Sequence, residues 1–120
     1  MLTTDQFKTK AEEIRQRYAH GGFSLNHAFN ELGMAADEVL PFEDQLWYDE
    51  EAAEAVFWGY TALWMQAYQK DAVPAEHVYD AMRGLGRKYI ADADRHKAIM
   101  DRHCEFAPDR DDDESWRMLL

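Results

Sequence analysis

Apolar and polar residues alternate along this chain with the period of α-helices. The first apolar set recurs at spacings of four, three and four residues, which places its members on one helical face: Phe7, Ala11, Ile14 and Tyr18. Before this set, Thr3 and Gln6 have the spacing of a capping box, which predicts the start of the helix. Gly21 and Gly22 predict its end, because glycine readily adopts the left-handed conformation.

A shorter second helix is predicted after Ser24, which is a suitable N-cap. Its apolar positions are Leu25, Ala28, Phe29 and Leu32, and Gly33 is expected to stop it before a further turn over residues 35–40. The segment 28–39 weakly resembles a helix-turn-helix, with Leu32 and Gly33 at the turn. Its second helix would contain no basic residue, so we do not expect it to bind DNA.

Two long helices are predicted to follow, over about residues 42–70 and 74–104. Pro41 suits the first turn of the former, and its apolar positions cover more than one face, as in a central bundle helix. Because the connection at residues 71–74 is short, the two helices should be antiparallel. After residue 74, the apolar residues stay on one helical face as far as His103, which favours one unbroken fourth helix. A break at Gly84 and Gly86 is the alternative.

The predicted fold class is therefore all-α, a single-domain helical bundle. Residues 1–107 form the bundle and residues 108–120 form an acidic tail. The tail ends in a small apolar cluster made of Trp116, Met118, Leu119 and Leu120. We expect this end to dock on its own bundle, with docking into a basic-rimmed pocket of a partner as the alternative.

Composition restricts the compartment and the partners. The chain has 120 residues and one cysteine, which favours a reducing compartment, and its longest apolar stretch is too short to span a membrane. We therefore expect a cytoplasmic protein. A net charge of −11 disfavours direct binding to nucleic acid and to anionic membranes. Basic protein surfaces are the natural partners.

The distribution of charge is the most informative feature. No Lys or Arg occurs between Arg17 and Lys70, whereas acidic residues are frequent there. On the predicted third helix, acids and two tryptophans share one side, and tryptophan among polar groups is typical of a binding hot spot. The candidate partner-binding residues are Glu43, Asp44, Trp47, Glu50, Glu51, Glu54 and Trp58.

These features predict a non-enzymatic protein-binding module. The composition is similar to that of small acidic helical proteins of phages and plasmids that block restriction or CRISPR machinery. The acidic face and its two tryptophans predict an inhibitor that occupies the basic surface of a nucleic-acid-handling partner by imitating nucleic acid. The alternative is a solvated acidic face neutralised within the molecule by a basic strip on the last helix, formed by Arg83, Arg87, Arg95 and Arg102.

Two further hypotheses belong to other classes. Helix-mediated homo-oligomerisation, for example as a homodimer, would explain the apolar circumference of the third helix. A small metalloprotein would use His96 and His103, with Asp92 orienting His96. Those histidines are two helical turns apart, about 10 Å along the axis, so one ion would need ligands from elsewhere. Nucleophile, nucleotide-loop and metal-site motifs are missing from the sequence, so we expect neither enzymatic activity nor a cofactor.

Overall fold

The computed structural model describes residues 2–39 and 50–103, and within these ranges the chain is all-α. The five helices are α1 (Thr4–Ala19), α2 (Leu25–Val39), α3 (Glu50–Gln69), α4 (Ala75–Tyr89) and α5 (Ala93–Arg102). None of these helices is long and apolar enough to cross a membrane. The predicted start of the third helix at Phe42 and the acidic tail at 108–120 lie outside the described residues.

Helix α1 begins and ends as its sequence predicts. The Thr3 backbone amide donates to Gln6 Oε1 at 2.9 Å, and the Gln6 amide donates to Thr3 Oγ1 at 3.1 Å, which completes the capping box. The predicted apolar set is buried. After the helix, Gly21 has φ +81°, and the Gly22 amide donates to the Arg17 carbonyl at 2.8 Å.

Helix α2 starts after Ser24, whose hydroxyl accepts from the His27 amide at 3.1 Å. It does not stop at Gly33 but continues to Val39, so the predicted end and the helix-turn-helix resemblance are both wrong. Residues on both sides of Gly33, including Leu32 and Ala36, are buried on one face. Tertiary packing of that face outweighs the helix penalty of one glycine, about 1 kcal/mol.

Helix α3 is the centre of the fold and packs against α1, α2 and α4. Small side chains such as Ala52, Ala53 and Ala55 are buried along it, and Val56 and Phe57 are fully buried. Two core clusters meet there: one joins α1, α2 and α3, and the other joins Phe57 to α4 and α5. The apolar sides of the third helix, which suggested self-association, are thus covered largely by other helices of the same chain.

A row of half-buried aromatic rings joins α2, α3 and α4. The Phe29 ring lies 4.9 Å from Trp64 and 6.4 Å from Tyr60, and Tyr60 is stacked on Tyr89 at 6.4 Å between centroids. Burial, with smaller contributions from Tyr89 and Asp37, raises the pKa of Tyr60 to about 12. This hydroxyl therefore stays neutral at physiological pH.

The last predicted helix is broken, which corrects the expectation of one helix over 74–104. The break falls at residues 90–92 and not at the glycines. Ile90 is buried in an extended conformation (φ −109°, ψ 107°), and Asp92 begins a new helix. The Asp92 carboxylate accepts from the amides of Asp94 at 3.0 Å and Arg95 at 3.2 Å.

Gly86 does not break or bend α4 but allows α5 to pack closely against it. The His96 imidazole of α5 lies directly over it, and a Cβ atom added to Gly86 would meet His96 Nε2 at 2.0 Å. Nothing lies within 4 Å of a Cβ added to Gly84. The two glycines therefore differ completely in what they contribute, although they share a helix.

Replacing each glycine by alanine tests this difference. Gly84→Ala should stabilise the protein by about 1 kcal/mol, because alanine favours helix and has free space there. Gly86→Ala should destabilise it despite the same gain in propensity, because the methyl group displaces His96 from α4. Thermal unfolding followed by circular dichroism measures both. Equal stabilisation by the two substitutions would contradict this packing.

Candidate functional site

A groove of about 420 Å³ runs between α1 and α3. Its floor consists of small residues, among them Ala11, Ala55 and Ala62. The two helices approach closely beside it, since a Cβ atom added to Gly59 would lie 3.1 Å from the Phe7 ring. Small residues on α3 therefore create both the helix contact and the groove.

The rim of the groove carries charges of both signs. Glu51 and Glu54 line it from α3, and Lys8 and Arg15 line it from α1. Arg15 is paired with Glu12 on its own helix. The acidic side that the sequence predicts on the third helix thus faces basic side chains of α1, a juxtaposition that follows from tertiary packing alone.

Trp58 lies at this groove and is 36% exposed. Its indole Nε1 donates to Glu54 Oε1 at 3.4 Å, and its ring meets the edge of His103 at 5.9 Å between centroids. A partly exposed indole held by neighbours in this way presents rigid apolar area to a partner.

Glu54 is paired with a basic residue of another helix. Arg95 Nε of α5 donates to Glu54 Oε1 at 3.0 Å, and Arg95 Nη2 contacts the same oxygen. The hydrogen bond and the charge of Glu54 raise the pKa of Arg95. Glu54 therefore joins α3 to α5, while Glu50 and Glu51 are exposed in the first turn of α3.

Exposed carboxylates gather where α2 ends and α3 begins. Phe29 of α2 packs on Trp64, and Gly33 one turn later lies beside the Tyr60 hydroxyl, so α2 and α3 are antiparallel and the end of α2 lies towards the start of α3. We call the four exposed acids of these two turns the acidic end: Asp37, Glu38, Glu50 and Glu51. The predicted partner-binding residues Glu43, Asp44 and Trp47 lie outside the described residues.

The acidic end is electrostatically unfavourable on the α2 side. The carboxyl end of a helix carries partial negative charge, and carboxylates there are destabilising. Asp37 and Glu38 occupy this position, and the last turn of α2 contains no basic residue. On α3 the same charge is favourable, because Glu50 and Glu51 lie at a helix N-terminus.

A second cavity, of about 320 Å³, lies between α4 and α5. Arg83 and Arg87 line it from α4, and Lys97 and His96 line it from α5. The sequence places Arg83 and Arg87 on the predicted basic strip, whereas Lys97 joins them only because the break at residues 90–92 sets α5 against α4. We call this cavity the basic cleft.

His96 is held neutral by its surroundings. Burial lowers its pKa from the ordinary 6.5, and the positive charge of Arg87 lowers it further, while a hydrogen bond to the Met82 backbone acts in the opposite direction. Its buried Nε2 has no hydrogen-bond partner among the residues that the structure describes.

The three weaker metal candidates are not brought together. Asp92 caps α5 and does not orient the His96 side chain; His96 packs on Gly86, whereas His103 packs on Trp58. Within residues 2–39 and 50–103, no three or more His, Cys, Asp or Glu side chains are arranged to hold a metal ion.

Comparison with known proteins adds no assignment. No family model, curated protein or solved structure matches this chain. The functional interpretation therefore depends on the geometry of the described residues.

The position of Asp37 and Glu38 leads to a stability prediction. The double variant Asp37→Asn, Glu38→Gln should be more stable by about 1 kcal/mol, because each carboxylate at a helix C-terminus costs about 0.3–1 kcal/mol. Urea unfolding measures the difference. As a control, Glu76→Gln in the first turn of α4 also removes a negative charge, yet it should destabilise slightly. Stabilisation by Glu76→Gln as well would point to overall charge repulsion instead.

The lowered pKa of His96 predicts a pH-dependent stability. The unfolded chain takes up a proton on this histidine near pH 6.5, whereas the folded protein does so only at lower pH. The free energy of unfolding should therefore fall as the pH decreases from above 6.5 to the lowered pKa, and this contribution should level off below it.

Denaturant unfolding of His96→Leu between pH 8 and pH 5 isolates this contribution. The variant should lose that part of the pH dependence, and His20→Asn, at an exposed position, should retain it. An unchanged pH profile in His96→Leu would show that the imidazole is not responsible.

Proposed function

We propose that this protein is a non-enzymatic acidic binding module that inhibits a nucleic-acid-handling partner by occupying its basic surface. The acidic end is the proposed contact, together with the neighbouring Trp58. Direct binding to nucleic acid is not part of the proposal, because a net charge of −11 opposes it.

The observation that carries the proposal is the placement of Asp37 and Glu38. Carboxylates in the last turn of α2 oppose the helix dipole, and α2 supplies no base there to compensate. Exposed charged residues that destabilise the fold are typical of functional surfaces, because such residues are retained for binding although they lower the free energy of unfolding. On a solvated face that binds no partner, carboxylates at a helix C-terminus would lower stability without any compensating gain in binding.

Spacing supports imitation of a phosphate backbone. Glu50 and Glu51 lie four and three residues before Glu54, which corresponds to about 6 and about 4.5 Å along the axis of α3. Phosphates of one duplex strand follow each other at about 3.4 Å along the duplex axis, so two steps cover about 6.8 Å, which is similar to the separation of Glu50 from Glu54. Asp37 and Glu38 add charge from a second helix at the same end of the antiparallel α2–α3 pair, so the acids do not lie along one line.

Trp58 supplies the apolar component of the proposed contact. Partner interfaces commonly combine a rigid aromatic anchor with a polar surround. Trp58 remains 36% exposed although its indole donates to Glu54. The paired Glu54 is assigned to positioning this indole, and Glu50 and Glu51 to the partner contact.

Neither the assembly hypothesis nor the metalloprotein hypothesis is favoured by a specific contact of the described residues. The apolar sides of α3 that suggested assembly pack against α1, α2 and α4. His96 and His103, which suggested a metalloprotein, pack against different helices.

Charge reversal at the acidic end tests the proposal. The immobilised protein is exposed to a lysate of its own organism, and retained proteins are released with duplex DNA, RNA or 0.5 M salt. We expect nucleic-acid-binding proteins to be retained and all three agents to release them. The double variant Glu50→Lys, Glu51→Lys should retain at least tenfold less, because two attractive contacts become repulsive.

The matched control is Glu13→Lys, Glu76→Lys, which changes the net charge equally at exposed positions on α1 and α4. It should retain the partner. The released partner is then assayed for nucleic-acid binding, which the wild-type chain should inhibit and the Glu50, Glu51 variant should not. Equal loss in both double variants, or a partner whose nucleic-acid binding is unaffected, would refute the proposal.

A further inference from the structure

The basic cleft combines cations from two helices at one cavity. Arg83 and Arg87 are four residues apart on α4 and so lie on one helical face. Lys97 of α5 lines the same cavity from the other side. The net charge of the chain is −11, yet three basic side chains line this one cavity of about 320 Å³, so positive charge is concentrated there.

Carboxylates also lie at the cleft and beside it. Asp80 lies 3.5 Å from Arg83 on α4, and Asp101 lines the cavity from α5. The residues that line the cavity thus include three cations and one carboxylate. The positive charge of Arg87 reaches the cavity wall, as it contributes to lowering the pKa of His96.

We propose that the basic cleft binds the phosphate group of a small phosphate monoester. Guanidinium groups match the geometry of phosphate oxygens and form charge-assisted hydrogen bonds with them, and a lysine adds a mobile point charge. The volume is at the lower end of ligand pockets, which suits a phosphate with a short organic body. Met100 supplies an apolar wall, and Asp101 offers an acceptor for a ligand hydroxyl.

The cations, and not the start of α5, provide this recognition. Ala93 lines the cavity at the first residue of α5, but the Asp94 and Arg95 amides already donate to the Asp92 carboxylate. An anion at this helix end would have to displace Asp92. The basic cleft is separate from the acidic end, so this proposal does not depend on the proposed function.

Titration of the full chain with glycerol 3-phosphate and with inorganic phosphate at pH 7.5 tests the proposal. Ionic strength is kept constant with chloride, and backbone amides are followed by ¹H–¹⁵N NMR. We expect saturable shifts of the amides of residues 93–97 with both probes, and glycerol 3-phosphate should bind at least as tightly as phosphate. Arg87→Gln and Lys97→Gln should each weaken binding about tenfold, as expected for one charged hydrogen bond.

Lys88→Gln is the matched control, because Lys88 adjoins Arg87 but lies over the Tyr89 ring at 5.2 Å and does not line the cleft. It should bind both probes like the wild type. Arg87 and Lys97 are exposed, and circular dichroism verifies that their variants fold. Shifts that do not saturate, or equal weakening by Lys88→Gln, would overturn the proposal. Binding of phosphate without glycerol 3-phosphate would overturn the monoester assignment.

Discussion

Helix α3 carries apolar or small side chains around most of its circumference, and the positions of the other helices follow from their burial. A helix that is apolar on several sides must be covered on several sides. Helices α1, α2 and α4 provide this cover. Small residues let the neighbours approach closely, as the contact of Gly59 with the Phe7 ring demonstrates. Both core clusters include residues of this helix.

Charge follows the helix dipole in some helices of this fold and opposes it in α2. Helices α1 and α5 follow electrostatic preference, with Arg17 and Arg102 in their last turns. Helix α2 does the opposite, since Asp37 and Glu38 occupy its last turn and no base accompanies them. The burial of Leu32 and Ala36 on the core face supplies the free energy that keeps α2 helical in spite of this charge.

The break at residues 90–92 gives α5 two different neighbours. Arg95 on one side joins Glu54 of α3, and His96 on another packs on Gly86 of α4. An unbroken helix would have carried both residues away from these contacts. One short interruption therefore produces the pairing that occupies Glu54 and also the cleft that gathers Arg83, Arg87 and Lys97.

The all-α class, the N-terminal boundaries of α1 and α2 and the buried face of α1 were predictable from the sequence, because local hydrogen bonds and helical periodicity determine them. Thr3, Gln6 and Ser24 act through neighbours only a few residues away. The uninterrupted course of α2 through Gly33 and the break at Ile90 were not predictable, because long-range packing overrides local preference there. Likewise, the positions of the acids can be read from the sequence, but only the tertiary structure decided that Glu54 pairs with Arg95. Ion pairs between helices depend on distances that sequence spacing does not define.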